Sequence, residues 1–392
     1  MATYTVGSGQ TYATIADAYA AVVSAVGGTA ATETHYIDLY GGATFSENIT
    51  LGNFTACFCT PENPLVIRTA DGESEATITG DINCQFAPYF EIRDVTFNGK
   101  IDPNYVTFGF RMIRCEINMT ATVSPHLHSV IFEDCDIDSG TGSYAFYLSG
   151  GSFDRSTSVT FKRCNIRCRT RFVWAANTCE LYIDFEQCRF LITTGTDVVY
   201  SANGGSNYTS NRIYFLHNSF FFDTSSDADV VELYCPSGNP VGPDNWRYVF
   251  RNNIVEGGGT SKVFNITDTY GYIGRKAFEM TGNRYYNMTK IITSQDFDIS
   301  TVSGMQAIGL DTYSTEGDPG FVSTTWGNAN FLDISASLGT AKNVGIYSDK
   351  NGTAMTKWSD IDPGAHQYAA ATEDSGGPIR IVVPTNKKLT LP

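Results

Sequence analysis

Apolar and polar positions along this chain fall into a six-residue unit, apolar-x-x-(Cys/Asn)-x-apolar, that recurs eight times. It opens as Ile92/Val95/Phe97, with Val in the central place, and continues as Met112/Cys115/Ile117, Phe132/Cys135/Ile137, Phe161/Cys164/Ile166 and Phe185/Cys188/Phe190. Phe215/Asn218/Phe220, Phe250/Asn253/Val255 and Met280/Asn283/Tyr285 complete the series. The central residues lie 20, 20, 29, 24, 30, 35 and 30 positions apart, the spacing of coils in a solenoid. The last two inward positions of each unit alternate as a strand does, whereas the first is out of phase, so a corner is predicted between them. Equivalent residues then stack ~4.8 Å apart. That predicts an inward column of Cys115, Cys135, Cys164 and Cys188 continued by Asn218, Asn253 and Asn283, beside an aromatic column of Phe132, Phe161, Phe185, Phe215 and Phe250. The pattern predicts an all-β parallel β-helix.

Other segments read differently. Residues 11–28 predict one amphipathic helix: Thr14-x-x-Asp17 resembles a capping box, Gly27-Gly28 a stop, and Ile15, Ala18, Tyr19, Val22 and Val26 one stripe. A solenoid must cover the open end of its core, and this helix is placed to do so. The organisation expected is an N-terminal strand and capping helix over 1–28, coils over 29–300, closing coils over 301–368, and a C-terminal linker and docking strand over 369–392. Insertions at 139–157, 201–211 and 223–246 predict lateral loops.

Length alone would favour two domains, but a solenoid grows by stacking and has no single core to outgrow. Apolar residues at 42% and 37 glycines suit a chain that turns repeatedly. A formal net charge of −15 argues against nucleic acid, which needs a basic face. No apolar run is long enough for membrane insertion, and no secretory signal is expected at the N-terminus. The ten cysteines read chiefly as buried thiols formed in a reducing compartment, since four occupy equivalent inward positions.

The opening Tyr4-Thr5-Val6-Gly7-Ser8-Gly9 with Tyr12-Ala13-Thr14-Ile15-Ala16-Asp17-Ala18, and Gly41-Gly42-Ala43-Thr44-Phe45-Ser46-Glu47-Asn48, resemble the entry strand, capping helix and first coil of right-handed parallel β-helix proteins of pectate-lyase-like type. Gly317-Asp318-Pro319-Gly320-Phe321-Val322, Asn330-Phe331-Leu332 and Asp360-Ile361-Asp362-Pro363-Gly364-Ala365 resemble that family's closing coils. The resemblance spans residues 3–368 and implies the right-handed fold; function it leaves open, because the scaffold hosts many activities. A lyase of this family implies clustered Asp ligands for calcium and an Arg or Lys base. The polygalacturonase Asp-Asp, Gly-His-Gly and Arg-Ile-Lys motifs and the lyase Trp-x-Asp-His signature are absent from the sequence. No catalytic residue, cofactor or metal is therefore carried over.

Candidate chemistry remains at several places. Asp94, Arg114, Asp134, Arg163, Gln187 and His217, immediately before the column, are expected to point outward, and with Glu133, Lys162 and Glu186 they predict a structural charge ladder. Glu116 and Asp136 form a neighbouring carboxylate pair, which could in principle serve a glycosidase. Arg167, Arg169 and Arg171 are expected to share one outward face near Trp174, able to bind an anionic glycan or an acidic protein; the plainer reading pairs them with Asp138. His126-x-His128 lacks an evident third ligand, and Tyr144, Tyr147, Tyr270 and Tyr272 could stack on sugars. Ile379, Arg380, Ile381, Val382, Val383, Lys387 and Lys388 are the expected particle-anchoring segment.

These readings favour a non-enzymatic bacteriophage virion protein, a capsid decoration or tail-associated adhesin assembled in the host cytoplasm. Its partners would be capsid or tail proteins and a host polysaccharide, and the phage resemblance implies a homotrimer. The alternatives are a polysaccharide lyase or glycoside hydrolase of the β-helix class and a bacterial surface adhesin.

Overall fold

A computed structural model describes residues 1–52, 59–84, 89–102, 107–120, 127–149, 157–176, 181–193, 197–202, 211–223, 228–235, 247–268, 277–294, 298–311, 313–338, 341–342, 360–361 and 364. An eleven-stranded parallel sheet runs from Ala2–Val6 to Phe278–Thr281, and a second eleven-stranded sheet from Thr44–Phe45 to Thr315–Glu316. The third side begins as the three-stranded sheet of Ile49–Leu51, Ile82–Cys84 and Ile101–Asp102. It resumes as a seven-stranded sheet that starts at Tyr144–Ser149. Every strand of the two long sheets pairs in parallel with its equivalent on the next coil, and a crossover between parallel strands of one sheet is right-handed as a rule, because a right-twisted strand packs back onto its sheet that way. The chain is a right-handed parallel β-helix.

The register follows the repeat. Phe132 lies opposite Phe161, Phe161 opposite Phe185, Phe185 opposite Phe215 and Phe215 opposite Phe250. The first four rings stack nearly parallel at 5.0, 4.9 and 4.9 Å, and Phe250 tilts by 60° at 5.7 Å from Phe215. Corners arise where expected, through a device the spacing did not announce. Asp94, Arg114, Asp134, Arg163, Gln187, His217 and Asn252 all have φ between 52° and 57°, and Gly282 takes that place at 68°. A single left-handed residue redirects the strand, which is why inward phase breaks between the first and second positions of each unit.

The inward column then satisfies the backbone beside that corner. Cys135, Cys164 and Cys188 direct their thiols at the carbonyls of Met112, Phe132 and Phe161 on the preceding coil, at 3.4, 3.4 and 3.3 Å. The asparagines do more. Asn218 accepts from the Cys188 N–H at 2.7 Å and donates to the Phe185 carbonyl at 3.0 Å; Asn253 does the same for Asn218 N–H and Phe215 O, at 2.8 and 3.0 Å. All these side chains are buried, and the four column cysteines are free thiols.

Both ends are closed alike. Helix α1, Ile15–Val26, buries Ile15, Ala18, Val22 and Val26 and stops at Gly27 with φ 63°. Thr14 Oγ1 accepts from Asp17 N–H at 3.0 Å, while the free amides of Ile15 and Ala16 donate to Glu47 at 2.6 and 3.0 Å. The acid comes from the next coil, so Thr14 supplies half of a capping box. At the far end, helix α2, Val302–Ala307, buries Val302 and Met305. Its Thr301 Oγ1 accepts from Gly304 N–H at 3.2 Å, and Glu316 takes the Val302 amide at 2.6 Å. No helix among the described residues is long and apolar enough to cross a membrane.

Within the segment expected to form closing coils, Asp311 bridges Met280 of the first sheet in parallel and Thr315–Glu316 adds a strand to the second; residues 321–333 then lie over the outer face of the second sheet. Phe331 and Leu332 pack on Leu191, with Phe221, Phe321 and Trp326 around them, and Asp333 pairs with Arg189. Gly364 donates to the Asn252 carbonyl at 2.6 Å and lies against Ser219 and Ile254.

Candidate functional site

The charge ladder has the expected partners. Arg114 meets Asp94 at 2.6 Å, Arg163 meets Asp134 and Glu133 at 2.8 and 2.6 Å, Arg111 bridges Glu91 and Glu133 at 3.0 and 2.8 Å, and Lys162 meets Glu186 at 3.2 Å. Gln187 and His217 are a correction: both are buried, not outward. His217 Nε2 lies 3.1 Å from Asn252 Nδ2, and burial pushes the imidazole down to about 3. Gly364 donates to the Asn252 carbonyl at this end of the corner series, where amide and imidazole side chains stand in place of the ions of earlier coils.

Glu116 and Asp136 are exposed and face each other in register on the second sheet, Glu116 hydrogen-bonded to Asn118 and Asp136 to Asn165. His126 and its spacing to His128, Tyr270, Tyr272 and the anchoring residues Ile379 to Lys388 lie outside the described residues. Among the described residues no three His, Cys, Asp or Glu side chains converge as metal ligands.

The three arginines do not share one face. Arg167 and Arg169 converge on Asp138, at 3.7 and 2.9 Å, beside the second sheet. The chain bends at Arg169 and Thr170, and Arg171 begins the next strand, Arg171–Ala176, on the third sheet. There it pairs with Asp197 at 3.0 Å and Glu232 at 3.2 Å, and its guanidinium sits 4.0 Å over the Tyr200 ring.

Around Arg171 the third sheet turns an aromatic face outward. Tyr147, Trp174, Tyr200 and Glu232 occupy one register position on four successive coils. The Trp174 indole stands edge-on among three tyrosines: Tyr144 at 4.9 Å and 86°, Tyr147 at 5.8 Å and 89°, Tyr200 at 5.6 Å and 86°. These rings are half-buried, whereas the inward rings Phe146 and Phe172 of the same strands are fully buried. Beside them Tyr144 lies opposite Arg171, and Asp229 opposite Lys262. Asp197 is 5% and Asp229 3% exposed, so neither carboxylate is an ordinary surface acid. Burial, and then the hydrogen bond and charge of Asp197, push the Glu232 carboxyl up to about 7. Burial also raises Tyr200, with the Glu232 charge adding to it.

Sequence reasoning reached Trp174, Arg171, Tyr144 and Tyr147 but missed Tyr200, Asp197 and Glu232. The repeat fixes register only across the corner between the first two sheets. Third-sheet strands follow connections of variable length, so no spacing aligned Tyr147, Trp174 and Tyr200 in advance.

No protein-family model matches this chain, and no curated protein matches it. Among solved structures, the pectate lyase Pel9A is similar over 93% of this chain and 97% of its own, at 12% identity and a TM-score of 0.39. The deglycosylated pectin methylesterase from Aspergillus niger covers 84% of this chain and 93% of its own, at 12% identity and 0.35. A mannuronic acid-specific family 6 polysaccharide lyase from human gut microbiota covers 82% and 92%, at 11% and 0.28.

Proposed function

We propose that the chain is a non-enzymatic bacteriophage virion protein, a capsid decoration or tail-associated adhesin, that holds host glycans on the aromatic face of its third sheet. The observation that carries the glycan part is the cluster of Tyr144, Tyr147, Trp174 and Tyr200. These rings lie on the outward side of a sheet whose inward side already supplies the core, so packing alone gives no reason for them. Flat rings flanked by carboxylates and a guanidinium match a sugar, which offers an apolar C–H face edged by hydroxyls. The stacked inward columns support the mechanical part, because they make the prism stiff along its length.

A second reading, a glycoside hydrolase, is favoured by one observation: a carboxyl raised to about 7, Glu232, beside the buried carboxyl of Asp197. The test is a titration of host cell-surface polysaccharide with the full chain and with Trp174→Ala, with reducing ends counted in parallel. Binding that weakens about tenfold in the variant, with no new reducing ends, supports the adhesin. New ends that vanish in Glu232→Gln would favour the hydrolase, and equal binding by both proteins would reject the face. Immunogold label on particles tests the virion assignment separately, and light scattering the homotrimer.

A further inference from the structure

We propose that the third-sheet face is selective for uncharged polysaccharide and rejects polyuronates. The inference rests on the glycan-binding reading above and adds the charge class of the ligand. Its basis is that each described cation of this face already lies against a carboxylate. Arg171, the cation next to the rings, is held by Asp197 at 3.0 Å and Glu232 at 3.2 Å while lying 4.0 Å over Tyr200. Lys262 lies 3.6 Å from Asp229, and Lys290 is 2.6 Å from Asp298. The guanidinium thus has two carboxyl partners before any ligand arrives.

A sugar carboxylate stacked on Trp174 or Tyr200 would have to displace one of them or sit unpaired beside both. Either course costs free energy, because like charges repel and a carboxylate leaving water needs a cation in return. A neutral sugar meets no such opposition. Its hydroxyls can donate to the more accessible Glu232, and its C–H face can cover the rings, which step along the axis from Tyr147 through Trp174 to Tyr200 at 5.8 and 5.6 Å.

The experiment immobilises the full chain and measures capture of polygalacturonate, alginate and hyaluronate, each beside its own carboxyl-reduced form, which keeps the linkage and loses the charge. Wild type should favour the reduced member of any pair it binds by at least about tenfold, and Trp174→Ala should lose that binding. Glu232→Gln, a near-isosteric change that loosens Arg171, should raise capture of the native polyuronate at low salt with folding unchanged by circular dichroism. Equal or tighter capture of the native polyuronates by wild type would overturn the selectivity while leaving glycan binding intact. Failure to bind any member of the panel or the host polysaccharide would overturn the glycan reading, and this inference with it.

Discussion

At the scale of single residues, the asparagine column has the most direct energetic consequence. Asn253 serves two buried backbone groups, the Asn218 N–H and the Phe215 carbonyl. In Asn253→Leu both lose their partner and neither can reach water. The substitution should cost roughly 2–5 kcal/mol and lower the thermal midpoint by several degrees, read by calorimetry. Glu232 should leave a mark on the pH dependence of stability. Its folded carboxyl is raised from the usual 4.5 to about 7, so the folded state binds the proton more tightly than the unfolded chain. The stability this contributes is fully present below 4.5 and is lost as pH rises through about 7. Glu232→Gln should therefore melt higher than wild type at pH 8 and lose that advantage near pH 4. His217 has the opposite sign: buried and neutral, lowered to about 3, it destabilises the fold as pH falls below 6.5.

At the scale of elements, the two end helices show how a solenoid is sealed. Each pairs a threonine at its N-terminus with a glutamate from a neighbouring segment, Thr14 with Glu47 and Thr301 with Glu316. Thr14→Ala should cost about 1 kcal/mol in global stability, measured by denaturant unfolding, because an amide at the sealed end loses its acceptor. The sequence made α1 legible through its stripe and its Gly27 stop. It did not reveal Glu47, because contacts between coils do not follow helical spacing. The corners were legible as a phase break and illegible as conformation: Asp94, Asp134, His217 and Asn252 are of types that take a left-handed φ more readily than most, but Arg114, Arg163 and Gln187 hold the same place, so no shared residue type marks it. The return of the chain over the second sheet did leave a signal. Phe190-Leu191-Ile192 and Phe220-Phe221-Phe222 are continuous apolar runs where a one-sided strand would alternate, and such runs mark burial on both faces.

At the scale of the whole molecule, a solenoid separates rigidity from recognition. The columns of Phe, Cys and Asn hold the coils in register, so a side chain on one coil is placed against its neighbour on the next without help from loops. That is how Tyr147, Trp174 and Tyr200 become one surface, although 27 and 26 residues separate them in sequence. Because each coil depends chiefly on its neighbours, deletion of 369–392 should leave the thermal transition of the prism nearly unchanged while abolishing attachment to particles. Retained attachment would place the anchor elsewhere. The most direct measurement for the account as a whole is the affinity of host surface polysaccharide for the full chain and for Trp174→Ala, by isothermal titration at neutral pH. Saturable binding that weakens about tenfold in the variant, at an unchanged thermal midpoint, is the expected result. Identical isotherms for the two proteins would contradict it.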